Sequence, residues 1–562
     1  METQARFNWR DNFRLGLLAA VVALSLCAIG VVGTFAQRDI IGGVVSLGHV
    51  FLFGAALGGG YLAAHRDADG GTGRALLGGA FIGFLSSLPL VVLALVAEPF
   101  HLRQFLPNVS PELLEMLTLG QGQMPGLLIL VAVVTVLGLV GVGMARLPSH
   151  VRRPLLTGLG VVFLIGLLSE TIALAWGSHG LGLRIRRFMF ASKGLSIPGV
   201  LVVFAAATGL NVWWNTQGSR VRQRVAALPP RRQQVLRWGG IALGILILLI
   251  LPFLLRRYLS EVIVNVGLYI LMGLGLNIVV GFAGLLDLGY VAFFAIGAYT
   301  MALLTPSEYG VANLSFWTAL PFCVLAAVLA GIFLGVPVLR MRGDYLAIVT
   351  LGFGEIVRIL VLSDFLAPLI GGAQGILKIP NASIGGLEIV HPEHLYYLVL
   401  AGCLLAFFVS WRLRDARLGR QWMAMREDED VAEAMGINLV RTKLLAFAIG
   451  AAFSGMSGAI FAAKLSSVFP HSFSLMVSIN VLCLIIVGGI GSLPGVVVGA
   501  LALVGLPELL REFAEYRLLM YGALLILMML ARPEGFWPSE VRKRELHTES
   551  APTGGGSPIG SA

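Results

Sequence analysis

Apolar residues run along this chain in blocks of about 20, the length a helix needs to cross a bilayer. Clusters of Arg, Gly and Pro separate them. The pattern predicts spans at 14–34, 40–63, 75–97, 125–145, 154–177, 239–256, 262–283, 288–305, 316–339, 346–363, 395–411, 444–466 and 518–531. Shorter runs at 476–490 and 494–508 predict a helix pair, and the run at 199–214 leaves a crossing open. The even, short, alternating strands of a barrel are missing, so the spans must be helices that satisfy their own backbone in lipid. The fold class predicted is all-α: a polytopic integral membrane protein.

Composition agrees. The chain has 562 residues, 57% hydrophobic and 12% charged, where soluble domains carry about 25% charged residues. The net charge of +10 could suggest nucleic acid, but the basic residues sit at span ends, the signature of cytoplasmic loops, so no nucleic-acid partner is expected. Cys27, Cys323, Cys403 and Cys483 lie singly in apolar runs without a CxxC pair, as packing residues do. The polar start "METQARFNWRDNFR" is followed by a full-length run without a small-residue cleavage site, so the first span is expected to remain.

Four regions follow. Residues 1–218 form an N-terminal membrane extension of five or six spans. Residues 219–238, "SRVRQRVAALPPRRQQVLRW", form a basic cytoplasmic linker broken by Pro229 and Pro230. Residues 239–535 form a second membrane unit. Residues 536–562 form a cytoplasmic tail, its Gly-, Ser- and Pro-rich end unable to bury a core and expected to be disordered. Lys and Arg place 146–153, 340–344, 412–443 and 532–545 in the cytoplasm, and 368–394, with Lys378 alone, on the other face. The segment "RIRRFMFASK", 184–193, falls on the non-cytoplasmic side by this count and conflicts with the rule, unless 199–214 does not cross.

No catalytic constellation is visible. No Gly is followed by Lys, so there is no phosphate-binding G-x-x-x-x-G-K-[ST] loop, and no H-E-x-x-H or G-x-S-x-G occurs. His391 and His394 stand three apart in a proline-containing loop with too few companions for a metal. No enzyme activity, metal or cofactor is expected.

One stretch is out of character. "AMREDEDVAEAMGINLVRTK", 424–443, is crowded with charge and helix-like, with Val431, Ala434, Met435 and Asn438 at helical spacing on one small face. Burying those charges in lipid costs several kcal/mol each, so it lies outside the bilayer. It is either a solvated connector or a docking helix, with Gly436 ending or bending it where close approach is needed.

This stretch, with "LLAFAIGAAFSGMSGAIFA" after it, resembles the cytoplasmic signature of permease subunits of branched-chain amino-acid ABC transporters. "GLNIVVGFAGLLDLGYVAFFAIGAYTMALL" (275–304), "RGDYLAIVTLGFGEIVRILV" (342–361), "GGAQGI" (371–376), "VGGIGSLPGVVVGA" (487–500) and "LPELLREFAEYRLLMYGALLILMMLARPEG" (506–535) are similar to further blocks of that family in the same order. The resemblance covers about 260–535 and implies an ABC-importer permease core with extra N-terminal spans, lying in the cell inner membrane. It also implies that 424–443 is the coupling helix, with Glu433, Ala434, Met435 and Gly436 at the contact. The implied partners are a second permease subunit, two cytoplasmic ABC ATPase subunits that hydrolyse the ATP, and a periplasmic substrate-binding protein. The cargo would be branched-chain or related amino acids, with urea, amides or other amino acids as the alternative. A self-sufficient secondary transporter is a reading from another class; it should show inverted repeats.

Candidate pathway or gate residues are Asp287, between two spans, and Glu355 with Arg358 three residues on, a pairing distance within one helix. Gly281 and Gly284 could allow close backbone approach to substrate or only helix packing. Val477 stands beside Ser478 where the family pattern has an acid, so no fixed charge is expected there. "SLGHVFLFG" (46–54) faintly echoes "DLGYVAFFA" (287–295).

Overall fold

The computed structural model describes residues 9–66, 71–97, 99–169, 172, 181–191, 194–227, 229–338, 341, 343–385, 387–509 and, near the C-terminus, 522, 525, 526, 528, 530 and 534–538. The span expected at 518–531 lies mostly outside these residues, as does the tail beyond 538. The chain divides into two compact units, Met1–Ala242 and Leu243–Ala562.

The first unit contains α1 (Trp9–Ile29), α2 (Val31–Ala36), β1 (Asp39–Ile41), β2 (Val45–Ser46), α3 (Leu47–Arg66), α4 (Thr72–Ala97), α5 (Pro111–Leu117), α6 (Gln123–Arg146), α7 (Ser149–Leu167), α8 (Leu181–Met189), β3 (Phe190–Ala191), β4 (Gly194–Leu195) and α9 (Ile197–Ala226). The strands make one small sheet, order β2-β1-β4-β3. It corrects the span expected at 40–63. Gly43 turns the chain with φ +71, its N–H bonded to Asp39 Oδ2 at 2.9 Å, so a hairpin occupies 39–46 and the helix starts at Leu47. Helices α3, α4 and α6 approach backbone to backbone: a Cβ on Gly138 would collide with the Gly79 carbonyl, and one on Gly60 with the Gly138 carbonyl. The run at 199–214 lies in Ile197–Gly218, which is long and apolar enough to cross a membrane. The stretch 219–238 is largely helical, non-helical at 227 and 229, with Pro230 at the first position of the next helix.

That helix, α10 (Pro230–Leu276), is followed by a π-helical turn, Asn277–Phe282. Two spans were expected, at 239–256 and 262–283; two segments apolar and long enough to cross, Arg231–Phe253 and Arg257–Phe282, are present, carried on one continuous helix. The stretch "RRYLSE" holds no Gly, Pro, Asn or Asp, and three of its polar side chains find partners: Arg257 with His391 Nδ1 at 3.1 Å, Tyr258 with the Glu508 carbonyl at 2.8 Å, Glu261 with Lys464 at 2.6 Å. Then come α11 (Val291–Leu304), α12 (Phe316–Val338), α13 (Asp344–Leu362), α14 (Ala367–Ile370), β5 (Ile376–Leu377), β6 (Ser383–Ile384), β7 (Leu387–Glu388), α15 (Pro392–Asp415), α16 (Arg417–Glu427), α17 (Glu429–Ala434), α18 (Leu439–Leu465), β8 (Ser467–Val468), α19 (Leu475–Gly488), α20 (Leu493–Ala500) and α21 (Leu506–Leu509). The expected span 288–305 shrinks to the 14 residues of α11, about 21 Å at 1.5 Å per residue, because 283–290 is an irregular entry. Helix α19 and the stretch Leu493–Glu508 fold back on each other at 119°.

Among the described residues twelve helical segments, two of them within α10, are long and apolar enough to cross a membrane, thirteen if that bent pair is one span. The distribution of polarity matches lipid. Phe333 and Ile348 are 73% and 65% exposed, while Thr350, Ser454, Ser457, Asn277 and Asp287 are buried. Helix α18 is the centre of the second unit. Tyr290 donates to the Gly450 carbonyl at 2.7 Å, Ser457 to the Leu268 carbonyl at 3.0 Å, and a Cβ on Gly458 would collide with the Phe294 carbonyl of α11. At 27 residues it is about 40 Å long. Strand β5 pairs with β8 just beyond its C-terminal end, so the 368–394 region and the charged 424–438 segment lie at opposite ends of α18.

The α11–α18 contact predicts a stability effect. Gly458→Leu forces two backbones apart and should cost about 1–3 kcal/mol by overpacking. Gly352→Ala, where a Cβ meets open space on α13, should be neutral or gain up to about 1 kcal/mol. Thermal unfolding of the detergent-solubilised protein checks both; an unchanged midpoint for Gly458→Leu would contradict the packing.

Candidate functional site

The charged stretch is three pieces of helix, which corrects the single helix expected over 424–443. Asp428 adopts an extended conformation after α16, and its Oδ1 accepts from the N–H of Asp430 at 2.9 Å and Val431 at 3.0 Å, capping α17. Helix α17 closes on Gly436, φ +86: Ile437 N–H bonds the Ala432 carbonyl at 3.1 Å and Gly436 N–H the Glu433 carbonyl at 2.9 Å. That is a Schellman stop, whose left-handed position favours glycine. Asn438 then caps α18, its Oδ1 accepting from Arg441 N–H at 2.9 Å. Asn438 therefore does not share a face with Val431. A Cβ on Gly436 would meet open space, so the glycine is required by backbone conformation and not by a close neighbour within the chain.

Two buried contacts clamp these pieces to α18. Trp422 is fully buried and its indole N–H donates to the Thr442 carbonyl at 2.9 Å. Lys443, 2% exposed, pairs with Glu429 Oε2 at 2.8 Å. Ala432 faces inward. Glu433, Ala434, Met435 and Gly436 are consecutive and exposed, Met435 by 79%. The four expected contact residues thus form one solvent-facing tip on a fixed base.

Behind that base lies a joint between three discontinuities. In the π-turn, Asn277 is buried and its Oδ1 accepts from Gly491 N–H at 2.9 Å, in the bend between α19 and α20. Arg426 of α16 donates to the Gly281 carbonyl at 2.9 Å. Gly284 has φ +72, and a Cβ there would lie 2.8 Å from Arg426 Cγ. Residues 536–537 close the joint, with Phe536 N–H on the Val487 carbonyl and Trp537 N–H on the Gly488 carbonyl, both 2.9 Å. A cleft of about 690 Å3 opens beside it, lined by Gly281, Arg414, Arg426, Glu427, Ser492 and Trp537 among others.

The candidate pathway residues do not converge. Gly281 and Gly284 belong to this joint. Asp287 sits in a separate buried niche, its Oδ1 accepting from Gly289 N–H at 2.9 Å while Oδ2 has no hydrogen-bond partner among the described residues; neighbouring Leu288 N–H bonds Thr350 Oγ1 of α13 at 3.0 Å. Glu355 and Arg358 pair at 2.8 Å on a one-third-exposed face of α13, as their spacing predicts. Gly273 and Gly275 face Val496, Leu484 and the Tyr290 hydroxyl, and Gly331 and Gly335 face α18; all four serve packing. Sequence reasoning missed Asn277, Trp422, Arg426 and Lys443. A cationic or aromatic residue inside a charged run carries no signal of its own, although the polar Asn277 inside an apolar run does. Among the described residues no group of three or more His, Cys, Asp or Glu side chains could hold a metal ion.

The joint and the tip lie largely in the region that known proteins share. A family profile described as the permease component of the branched-chain amino acid transport system matches residues 258–529. The high-affinity branched-chain amino acid transport system permease protein LivM of Escherichia coli (strain K12) is 45% identical over 310 residues, 51% of this chain and 72% of the relative. A probable LivM of Methanocaldococcus jannaschii is 23% identical over 332 residues, 50% of this chain and 94% of the relative. The permease protein LivH of Escherichia coli (strain K12) is 35% identical over 126 residues, 22% of this chain and 40% of the relative. No solved structure matches the chain.

The clamp predicts how the charged segment responds to mutation. Lys443→Met removes the ion pair to Glu429, and breaking a largely buried pair costs about 3 kcal/mol. Hydrogen exchange over 417–436 should rise in Lys443→Met and return toward the wild-type level in Lys443→Met/Glu429→Met. Equal protection in all three proteins would mean that the pair does not hold the segment.

Proposed function

The chain belongs to the family of permease components of the branched-chain amino acid transport system, and from that premise we propose that it lines the translocation path of an ABC importer for branched-chain or related amino acids. ATP is hydrolysed on two separate cytoplasmic ATPase subunits, and a periplasmic binding protein delivers the cargo. Relatives of both the LivM and the LivH kind support a second permease subunit as partner in the bacterial inner membrane. The observation that carries the proposal is the exposed tip Glu433–Gly436 on a base fixed by Trp422 and Lys443. A surface that receives a push must be accessible, and its base must not yield.

In this reading the tip, on the cytoplasmic face, docks in a cleft of an ATPase subunit. Closure of the ATPase pair moves α16 and α17 together with α18. The drive lies in differential contact energy: swinging the permease from 1:99 to 99:1 between inward- and outward-facing states takes about 5.5 kcal/mol. Each docked state must favour one of those arrangements, or nothing moves. Lys378 and the β5–β8 region lie on the periplasmic face, where the binding protein docks.

Two experiments test this. Cysteines placed at 378 and 435 should label from opposite sides of intact cells; labelling of both from one side refutes the orientation. Glu433→Arg reverses a charge at the tip, and Gly436→Trp puts an indole in a left-handed position, which costs roughly 1–2 kcal/mol and holds the ATPase away. Both proteins should insert, fail to co-purify the ATPase and lose uptake of radiolabelled leucine. Normal uptake with the ATPase retained would make the segment a simple connector.

A further inference from the structure

Resting on that function, we propose that Arg426 is the positioning residue that transmits movement of the coupling segment to the broken span, through its hydrogen bond to the Gly281 carbonyl. It is the polar link between the two pieces that the geometry brings out. The guanidinium reaches from α16, whose Trp422 is bound to α18, across to a backbone carbonyl in the π-turn that ends α10. The Cγ methylene lies so near Gly284 that no side chain fits between them, and the φ of +72 there disfavours one in any case. Arg426 therefore both pulls on the turn and fills against it.

The receiving side is built to respond. A π-turn carries its hydrogen bonds with one extra residue per turn and can return to α-helical form by a register change. Its first residue, Asn277, holds the bend between α19 and α20 through Gly491 N–H at 2.9 Å, and a Cβ on Gly281 would lie 2.8 Å from that same nitrogen. A shift of Arg426 relative to Gly281 must therefore change the π-turn and the α19–α20 bend together. Two close approaches and two directional hydrogen bonds leave the joint little room for graded movement, and bistable contacts convert small displacements into switches. Arg426 is half-buried and the tip at 433–436 is exposed, so the residue that would touch a partner and the residue that passes movement inward are different ones.

The test separates assembly from coupling in the full complex reconstituted in proteoliposomes, with the binding protein and radiolabelled leucine as probe. Arg426→Ala should co-purify the ATPase in wild-type ratio. Its leucine uptake should fall by about tenfold or more, within the range of measured site-to-site couplings, and the stimulation of ATP hydrolysis by loaded binding protein should disappear. Arg426→Lys, which keeps a donor on a long stem, should recover part of both. A purely structural role would lower yield and melting temperature without that split. Asn277→Leu, nearly isosteric and on the far side of the joint, should give the same split and serves if Arg426→Ala does not fold. Uptake and stimulation near wild type in either variant overturn the proposal. Loss of the ATPase from Arg426→Ala overturns it too, since Arg426 would then act in docking, with the importer function intact. A wild-type complex that retains no ATPase would instead refute the function on which the proposal rests.

Discussion

A helix that breaks inside an apolar bundle exposes backbone N–H and C=O groups where no water can satisfy them, at several kcal/mol for each group left unpaired. The second unit breaks its helices at 277–290 and again at 489–492, and the polar side chains buried there answer that cost. Asn277 takes the N–H of Gly491, Asp287 that of Gly289, Thr350 that of Leu288, Ser478 that of Val291, and Arg426 serves the Gly281 carbonyl. Continuous helices would need none of them. The breaks are tolerated because protein surrounds them.

The same accounting explains where the charges went. In a chain so poor in charged residues, the 424–443 stretch keeps its acids exposed at α17 and buries one cation, Lys443, against Glu429. A largely buried ion pair is a weak source of stability but a strong source of registry, since the geometry that pairs it is unique. Trp422 adds a second directional bond to Thr442, one residue before Lys443. Two adjacent attachments on α18 fix both the position and the rotation of α16 and α17.

Much of this was legible in the residues. The cap signals Asp428, Gly436 and Asn438 all stand in the quoted stretch, and each marks a boundary the structure uses; Gly436 reads as a stop or bend, while the helical spacing of Val431, Ala434, Met435 and Asn438 outweighs Asp428 and Asn438. Charged residues separate the spans expected at 239–256 and 262–283, yet charge does not end a helix whose side chains find partners, as Arg257 and Glu261 do. The π-turn was illegible, because 277–282 reads as an unbroken apolar run apart from Asn277 and is defined by what packs on it. The candidate acids illustrate the opposite limit. The spacing of Glu355 and Arg358 forecast their ion pair, yet nothing in the spacing says that Asp287 lies in a different niche, because that depends on how α13 crosses the entry to α11.

Helix α18 carries the remaining argument. It has a paired lysine near each end, the buried Lys443 with Glu429 and the partly buried Lys464 with Glu261, and between them its buried face is mostly Ala, Gly, Ser and Phe. Small residues let α11 and α12 lie close against it, with backbone contacts at Gly455 and Gly458 that bulkier residues would abolish. A helix so tightly enclosed cannot rotate or bend independently of its neighbours. It can be displaced as a unit, and the two salt bridges decide what goes with it: the charged 424–438 segment at one end and the start of the second half of α10, at Glu261, at the other. Since α10 also ends in the π-turn that Arg426 touches, α18 and α10 form two sides of a frame linked at both ends. The links differ in kind. One is an ion pair at Lys464, the other a hydrogen bond from Arg426 to a single carbonyl in a turn able to change register. Strain applied at the charged 424–438 segment therefore concentrates at the end of the frame where the backbone can give.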